Sequence, residues 1–286
     1  MQISKISTHD SDYPAQLRAL HSPPKELFAL GNTSLLKTPM ISIVGSRKIS
    51  PYGKAATEQL ASGLAERGVT VVSGLAFGVD AIAHRATLSA GGNTLAVMPG
   101  GLDSVYPASH RALAEQILAQ NGLIISEYSA GSRVFKQNFI ARNRIIAGLS
   151  KAVLITEATH KSGSLHTAQF AINQNIPVLA VPGNITSPLS EGTNQLIQSG
   201  AHPIVCAQDV LDIVGLSNHQ NPDSSPLAAN SAEEAIIALI QQGVTDASTL
   251  QLQSKLAPDV FNQTLTMLEI TGKIIAQGSN HWTFYR

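Results

Sequence analysis

A run of glycine, serine and two cations has the composition of an anion-binding turn. Gly45, Ser46, Arg47 and Lys48 come directly after residues 41–44, which are mostly apolar and β-branched, and before a segment with helical spacing. Backbone amides at a helix start, together with the positive end of the helix dipole, favour an anion. Arg47 and Lys48 would add full charges beside them. From this stretch alone the alternative stays open, in which Gly45 only permits the turn and both cations are solvated.

A second turn of the same chemical type precedes a later helical pattern. Ser162, Gly163 and Ser164 can supply amides and hydroxyls, and Lys161 can supply a positive charge. The sequence therefore predicts a second place where an anion can be held.

Positive charge is concentrated in residues 131–161, although it cancels over the whole chain. This segment holds six cations against the single acid Glu157, and the cations are Arg133, Lys136, Arg142, Arg144, Lys151 and Lys161. Phe135 and Phe139 lie among them. Single-stranded nucleic acid binds such a mixture, because its bases stack on rings while its phosphates pair with cations. Alternatively, both rings are core residues at i and i+4 of a helix whose charges face water.

Acidic residues and histidines offer weaker candidates for catalysis. Asp80 and His84 are four apart at a helix start, and Asp103, Glu127 and Glu157 follow strand-like runs. A hydrolytic or metal site could be drawn from them, but HExxH, paired cysteines, GxSxG, a Walker motif and a full GxGxxG at the first turn are all absent. We expect Asp80 to cap its helix and His84 to bridge to Asp80. No catalytic residue, metal site or cofactor is predicted.

Composition gives a broad class but names no partner. The chain has 286 residues, with 19 lysines and arginines against 19 aspartates and glutamates. Cys206 is the only cysteine, which excludes an internal disulfide and suits a reducing compartment. Neither a signal peptide nor a membrane span is predicted. We therefore expect a soluble cytoplasmic protein with no membrane association.

Apolar runs alternate with helical patterns across residues 41–215. The predicted strands share a β-branched character and are followed by turns, and they lie at 41–44, 69–73, 94–98, 123–126, 152–156 and 176–181. This alternation predicts an α/β fold, a Rossmann-like parallel sheet with helices on both faces. Binding sites in such sheets lie at the carboxyl ends of the strands.

The ends of the chain differ from this central domain. Residues 1–40 are predicted to be an irregular or partly helical lead-in, and residues 216–231 a linker. Ser231 and Glu234 form a capping-box pattern. Three helical patterns and a hairpin over residues 232–286 predict a small winged-helix domain. Its three basic residues against five acids favour a protein partner over a phosphate backbone.

Seven motifs, in this order, resemble the DNA-processing protein A family, also called DprA or Smf. They are ISIVGSRKISPYG, VVSGLAFGVDAIAH, AVMPGGLDSVYP, ISEY, FKQNFIARNRIIAGLS, VLITEATHKSGSLHTAQFA and VPGNITSPLSEGTNQLIQSGA. The resemblance covers residues 41–201, and both the preceding lead-in and the tail are similar to family segments.

The resemblance implies a cytoplasmic, non-enzymatic protein of natural transformation. Such a protein binds incoming single-stranded DNA, protects it, loads the RecA recombinase on it and forms a homodimer through its Rossmann-like domain. The DNA contacts that the resemblance implies are Gly45, Ser46, Arg47, Lys136, Asn138, Phe139, Arg142, Asn143 and Arg144. Lys48 and the turn of Lys161, Ser162, Gly163 and Ser164 are added by the charge pattern.

Two further expectations follow from comparing the chain with known families. Many members begin with a helical domain of sterile-alpha-motif type, for which this sequence has no room. The alternative function is a nucleotide-cleaving hydrolase of the lysine-decarboxylase-like group, which also carries a PGG turn. Pro99, Gly100 and Gly101 are present here, but the residues that this group needs next are not.

Overall fold

The computed structural model describes residues 3–216 and 231–284, apart from residues 272, 277 and 279. The chain divides into two compact units, Met1–Ser217 and Asn218–Arg286. The predicted linker at 216–231 lies almost entirely outside the described residues.

The first unit is built on a nine-stranded sheet of order β1-β2-β6-β5-β4-β3-β7-β8-β9. The strands from β6 to β9 in that order run parallel, whereas β1 pairs antiparallel with β2 and β2 antiparallel with β6. The nine strands are β1 Ser4–Ser7, β2 Glu26–Gly31, β3 Met40–Val44, β4 Thr70–Ser73, β5 Thr94–Met98, β6 Leu123–Ser126, β7 Val153–Ile155, β8 Val178–Ala180 and β9 His202–Pro203.

Helices cover both faces of this sheet. The helices of the first unit are α1 Ala15–Arg18, α2 Pro51–Ala65, α3 Val79–Ser89, α4 Arg111–Ala119, α5 Lys136–Leu149, α6 Ser164–Asn173, α7 Glu191–Gln198 and α8 Ala207–Val214. Short 3₁₀ turns occupy Thr33–Lys37 and Ala108–His110.

The central strand β3 shows why the sheet is covered on both sides. Alternate residues of a strand point to opposite faces, and all five residues of β3 are buried. Ile41 and Ile43 pack in the core beneath α2 and α8, while Met40 and Val44 pack in the core beneath α5 and α6. A strand buried in this way is almost wholly apolar, which is the pattern that the sequence shows. Its one polar residue, Ser42, donates to the Ile146 carbonyl at 2.8 Å.

The predicted α/β class is confirmed, with helices on both faces of a largely parallel sheet. The predicted strands at 94–98 and 123–126 have the observed bounds, and the other four differ by one or two residues at one or both ends. The expectation of an irregular lead-in is wrong for two segments, because β1 and β2 join the sheet. The first unit therefore has no boundary near residue 40.

The described residues of the second unit form three helices and a two-stranded antiparallel sheet. They are α9 Ser231–Gln241, α10 Ala247–Ser254, α11 Pro258–Ile270, β10 Ile274–Ala276 and β11 Trp282–Phe284. Ile236, Leu250, Phe261 and Leu268 belong to its own apolar core. The order of elements agrees with the sequence-based expectation, and the winged-helix assignment stays a prediction. The proposed cap of α9 depends on the Ser231 side chain, which lies outside the described residues.

Within the part of the chain that the structure describes, every helix is too short or too polar to span a lipid bilayer.

Candidate nucleic-acid interface

A cleft of about 790 Å³ opens at the carboxyl ends of the central strands. The first turn after β3, the start of α5 and the start of α6 meet around it. Of the predicted contact residues, the cleft is lined by Gly45, Ser46, Arg47, Lys48, Lys136, Phe139, Arg142, Asn143, Ser162, Gly163 and Ser164. The fold therefore brings together segments that are more than a hundred residues apart in the sequence.

The turn after β3 is held in shape by close packing. An added Cβ at Gly45 would lie 2.6 Å from the Glu157 carbonyl oxygen and 2.6 Å from Cγ2 of Val79, so no side chain fits there. The Ser46 amide donates to that same carbonyl at 2.7 Å, and its hydroxyl donates to the Lys48 carbonyl at 2.6 Å. The side chains of Arg47 and Lys48 are left exposed.

The start of α2 is already occupied by a carboxylate of the protein itself. Ser50 donates through its hydroxyl to Oε1 of Glu157 at 2.5 Å and through its amide to Oε2 at 2.9 Å. The Gly53 amide in turn donates to the Ser50 hydroxyl at 3.0 Å. The expectation that free amides and the α2 dipole would receive a ligand anion here is therefore wrong. Positive charge at this turn comes from the side chains of Arg47 and Lys48.

Aromatic and cationic groups meet on one wall of the cleft. The guanidinium carbon of Arg47 lies 5.4 Å from the Phe139 ring centroid. Phe139 is half-buried and makes an edge contact with Tyr106, their ring centroids being 5.2 Å apart. Phe135 is exposed at the start of α5. The alternative in which both phenylalanines are core residues is therefore wrong.

Arg142 lies at the cleft but points its donors into the protein. It is 3% exposed, and its Nη1 donates to the carbonyls of Gly74, at 2.8 Å, and Val97. Burial lowers the pKa of Arg142 to about 10, partly opposed by the charge of Asp80. The geometry gives Arg142 a positioning role, because it ties α5 to the ends of β4 and β5.

Asp80 and His84 differ from their expected roles. The Asp80 carboxylate accepts from the amides of Gly74, at 3.0 Å, and Ala76, at 3.4 Å, which precede α3 rather than belong to it. Burial raises the pKa of Asp80, and the charge of Arg142 opposes this rise. His84 does not bridge to Asp80, because its Nδ1 lies 2.7 Å from the Thr94 hydroxyl. Burial lowers the pKa of His84 to about 3.

Three of the predicted contact residues do not line the cleft. The buried Asn138 side chain donates to the Pro99 carbonyl at 3.1 Å. Arg144 forms a two-point ion pair with Glu127, at 2.7 and 2.6 Å, so it is engaged elsewhere. Lys161 is exposed next to the lining residue Ser162.

The turn at the start of α6 faces the same cleft from the other side. The hydroxyls of Ser162 and Ser164 lie 2.7 Å apart, and Gly163 between them is exposed. Tyr106 and His166 also line the cleft and were missed by sequence reasoning. Tyr106 follows the carboxyl end of β5, so the rule that placed the glycine-rich turns at this end of the sheet would also have found it.

The PGG turn is closed by a neighbouring loop. An added Cβ at Gly100 would lie 2.5 Å from Cγ2 of Val134, and one at Gly101 would lie 2.6 Å from the Ser129 carbonyl oxygen. Asp103 holds this loop by accepting from the Gly131 amide at 2.9 Å. This packing argues against a nucleotide-cleaving site at the turn. In the described parts of the chain, His, Cys, Asp and Glu side chains also form no group of three or more that could hold a metal.

Comparisons with known proteins agree with the motif pattern. Residues 4–215 match the family described as DNA recombination-mediator protein A. The chain is 44% identical over 206 residues to the DNA processing protein DprA of Streptococcus pneumoniae, covering 72% of each protein. It is 37% identical over 273 residues to the protein Smf of Escherichia coli, covering 92% of this chain and 73% of that protein. DNA processing protein A of Helicobacter pylori, whose solved structure is described in terms of its single-stranded DNA binding mode, has a similar fold. Its TM-score is 0.68 at 37% identity, over 75% of this chain and 96% of that one.

Proposed function

Because this chain belongs to the DNA recombination-mediator protein A family, we propose that it binds single-stranded DNA in the cleft during natural transformation. The proposed contacts are the exposed cations Arg47, Lys48 and Lys136 and the ring of Phe139. Asn143 and the turn of Ser162, Gly163 and Ser164 complete the binding surface, with Lys161 beside it.

The observation that carries this proposal is the contact of Arg47 with Phe139, next to Tyr106. A cation that pairs with phosphate and rings that stack with bases lie within one cleft, as a single strand requires. In duplex DNA the bases are already stacked and paired, so their faces are not available to these rings. The cleft therefore favours single strands.

Protection of the bound strand, loading of RecA and formation of a homodimer through the first unit are part of the same proposal. They rest on the family resemblance, as does a cytoplasmic location. We also propose that the protein does not turn over its ligand. Incubation with nucleoside monophosphates should release no free base, and sustained release would contradict this.

Salt-dependent binding tests the main proposal. Fluorescence anisotropy should show tighter binding to a single-stranded oligonucleotide than to the duplex of the same sequence, at every salt concentration. The logarithm of the affinity should fall linearly with the logarithm of salt concentration, with a slope of about −0.7 for each phosphate contacted. Equal affinity for duplex and single strand, or no binding at low salt, would overturn the proposal.

A further inference from the structure

A second pair of aromatic rings, Phe77 and His110, lies at the carboxyl end of the sheet. Phe77 follows β4 and is 49% exposed, although it is a large apolar side chain. Its ring centroid lies 4.8 Å from that of His110, with the two planes at 64°. The Phe77 ring thus contacts His110 on one side and presents apolar area to solvent on another.

The backbone places Phe77 beside the cleft. Ala76, the residue before it, lines the cleft. Gly78, the residue after it, packs against the turn that carries Arg47, since an added Cβ would overlap the Ser46 carbonyl and lie 2.8 Å from the Arg47 carbonyl oxygen. The Val79 amide donates to the same Ser46 carbonyl at 3.1 Å. Phe77 is therefore fixed next to the proposed phosphate-binding turn.

His110 limits the movement of the Phe77 ring. It is buried, and its Nδ1 donates to the Leu75 carbonyl at 2.9 Å, within the loop that carries Phe77. His110 also follows Tyr106 by four residues, so the segment that supplies Tyr106 to the cleft supplies the support for Phe77. A ring that is already held loses little conformational freedom when a flat ligand stacks on it.

We propose that Phe77 is a base-stacking residue that continues the path of a single strand beyond the cleft. The ligand is a single-stranded oligonucleotide longer than the cleft itself holds. Arg47, whose guanidinium contacts the Phe139 ring and whose backbone packs against Gly78, neutralises the phosphates where the strand passes from one aromatic pair to the other. The inference rests on the proposed function of the cleft. It adds a binding residue that the sequence motifs did not assign.

Oligonucleotide length distinguishes stacking on Phe77 from binding in the cleft, because only a long oligonucleotide should reach Phe77 as well as the cleft. Anisotropy titrations with oligothymidylates of about 4 and about 20 nucleotides compare wild type with Phe77→Ala, Phe77→Leu and Phe77→Tyr. Phe77→Ala and Phe77→Leu should each weaken binding of the long oligonucleotide about tenfold, and binding of the short one less than about twofold. Phe77→Tyr keeps the ring and should bind both as wild type does.

Two controls make the result interpretable. Ile172→Ala removes a comparably exposed apolar side chain from the far end of α6 and should change neither affinity. Arg47→Ala should weaken both lengths, so an unchanged Arg47→Ala affinity signals failure of the proposed function itself. If Arg47→Ala behaves as expected but Phe77→Leu binds the long oligonucleotide normally, or loses affinity equally for both lengths, the Phe77 inference is wrong. Thermal unfolding of each variant shows whether its fold is retained.

Discussion

Arg47 is an exposed cation whose contact with an aromatic ring fixes where its charge lies. It sits over Phe139, and the neighbouring Ser46 and Lys48 hold the backbone of the turn through the Ser46 hydroxyl. The side chain is therefore presented to the cleft without pairing inside the turn.

Arg47→Ala should weaken binding to single-stranded oligonucleotides of any sequence. Because one phosphate contact is lost, the salt slope should become shallower by about 0.7. Anisotropy titrations at several salt concentrations measure both effects. Arg67→Ala, at the opposite end of α2, removes an exposed arginine and should leave affinity and slope unchanged. An unchanged slope for Arg47→Ala would remove this residue from the interface.

Phe139→Ala should reduce the binding free energy by about 1–3 kcal/mol, since a base loses its stacking partner. The ring is half-buried on the cleft wall, so the fold should be retained. Oligonucleotide titration and thermal unfolding, run on the same samples, check both statements. Phe139→Tyr preserves the ring and should restore most of the affinity. Unfolding of Phe139→Ala would instead show that the ring mainly supports the fold.

His84 makes stability depend on pH. It is fully buried, none of the described residues hydrogen-bonds to its Nε2, and burial lowers its pKa from 6.5 to about 3. Between these values the unfolded chain binds a proton that the folded chain does not, so the stability that neutral His84 provides is lost as pH falls. Its contribution to the free energy of unfolding should change by about 1.4 kcal/mol per pH unit in this range.

His84→Gln removes the titrating group and should flatten this dependence. Urea unfolding at a series of pH values, with wild type beside the variant, gives the difference between the two slopes. If the free energy of unfolding fell equally with pH in both proteins below about pH 6, this effect could not be assigned to His84.

At the scale of elements, helix α5 carries both the binding surface and its supports. Lys136, Phe139 and Asn143 face the cleft, whereas Asn138 and Arg142 bond to the ends of strands. The supports fix the helix against β4 and β5, so the binding residues are held in place before a ligand arrives.

Arg142→Met should lower the free energy of unfolding by about 3 kcal/mol, because it leaves buried carbonyls without a donor and Asp80 without its neighbouring cation. Chemical denaturation measures this loss. Lys136→Met, on the exposed side of the same helix, should weaken DNA binding with little effect on stability. If both variants were equally stable, Arg142 would not be a support of α5.

The six strands between residues 41 and 181 could be predicted from local patterns, because a parallel strand covered on both faces is almost wholly apolar. Helices α7 and α8 and the two-residue strand β9 were not predicted. β1 and β2 could not be predicted, since among the described strands β1 pairs only with β2, β2 joins the sheet through the distant strand β6, and Glu26–Gly31 has no strict alternation. The sequence shows which residues of the segment 131–161 are cations, but it does not show which groups pair with them. Arg144 meets Glu127 and Arg142 meets two backbone carbonyls only in the folded chain. The contact of the Glu157 carboxylate with the start of α2 could not be predicted for the same reason, since it forms only in the folded chain.

At the scale of the whole molecule, the proposed DNA surface belongs entirely to the first unit. Every residue that lines the cleft lies within Met1–Ser217. Residues 231–286 hold three basic residues against five acids, so they add no net attraction for phosphate.

A chain ending at Ser217 should therefore keep its affinity for single-stranded DNA within about twofold of the full chain. Anisotropy titrations of the two proteins at matched salt concentrations check this. Arg47→Ala in the shortened chain serves as the control, and it should lose affinity as it does in the full chain. A loss of more than about tenfold on shortening would place part of the binding surface in the second unit.

The two outermost strands of the nine-stranded sheet are poorly suited to receive another strand. β9 has two residues, one of them Pro203, which lacks an amide hydrogen to donate. β1 has four residues and carries Lys5 in an ion pair with Glu26. Short, charged or proline-containing edge strands disfavour edge-to-edge association. If two copies of this chain associate through the first unit, continuous pairing of their sheets is therefore the disfavoured route, and contact through helices or loops is expected.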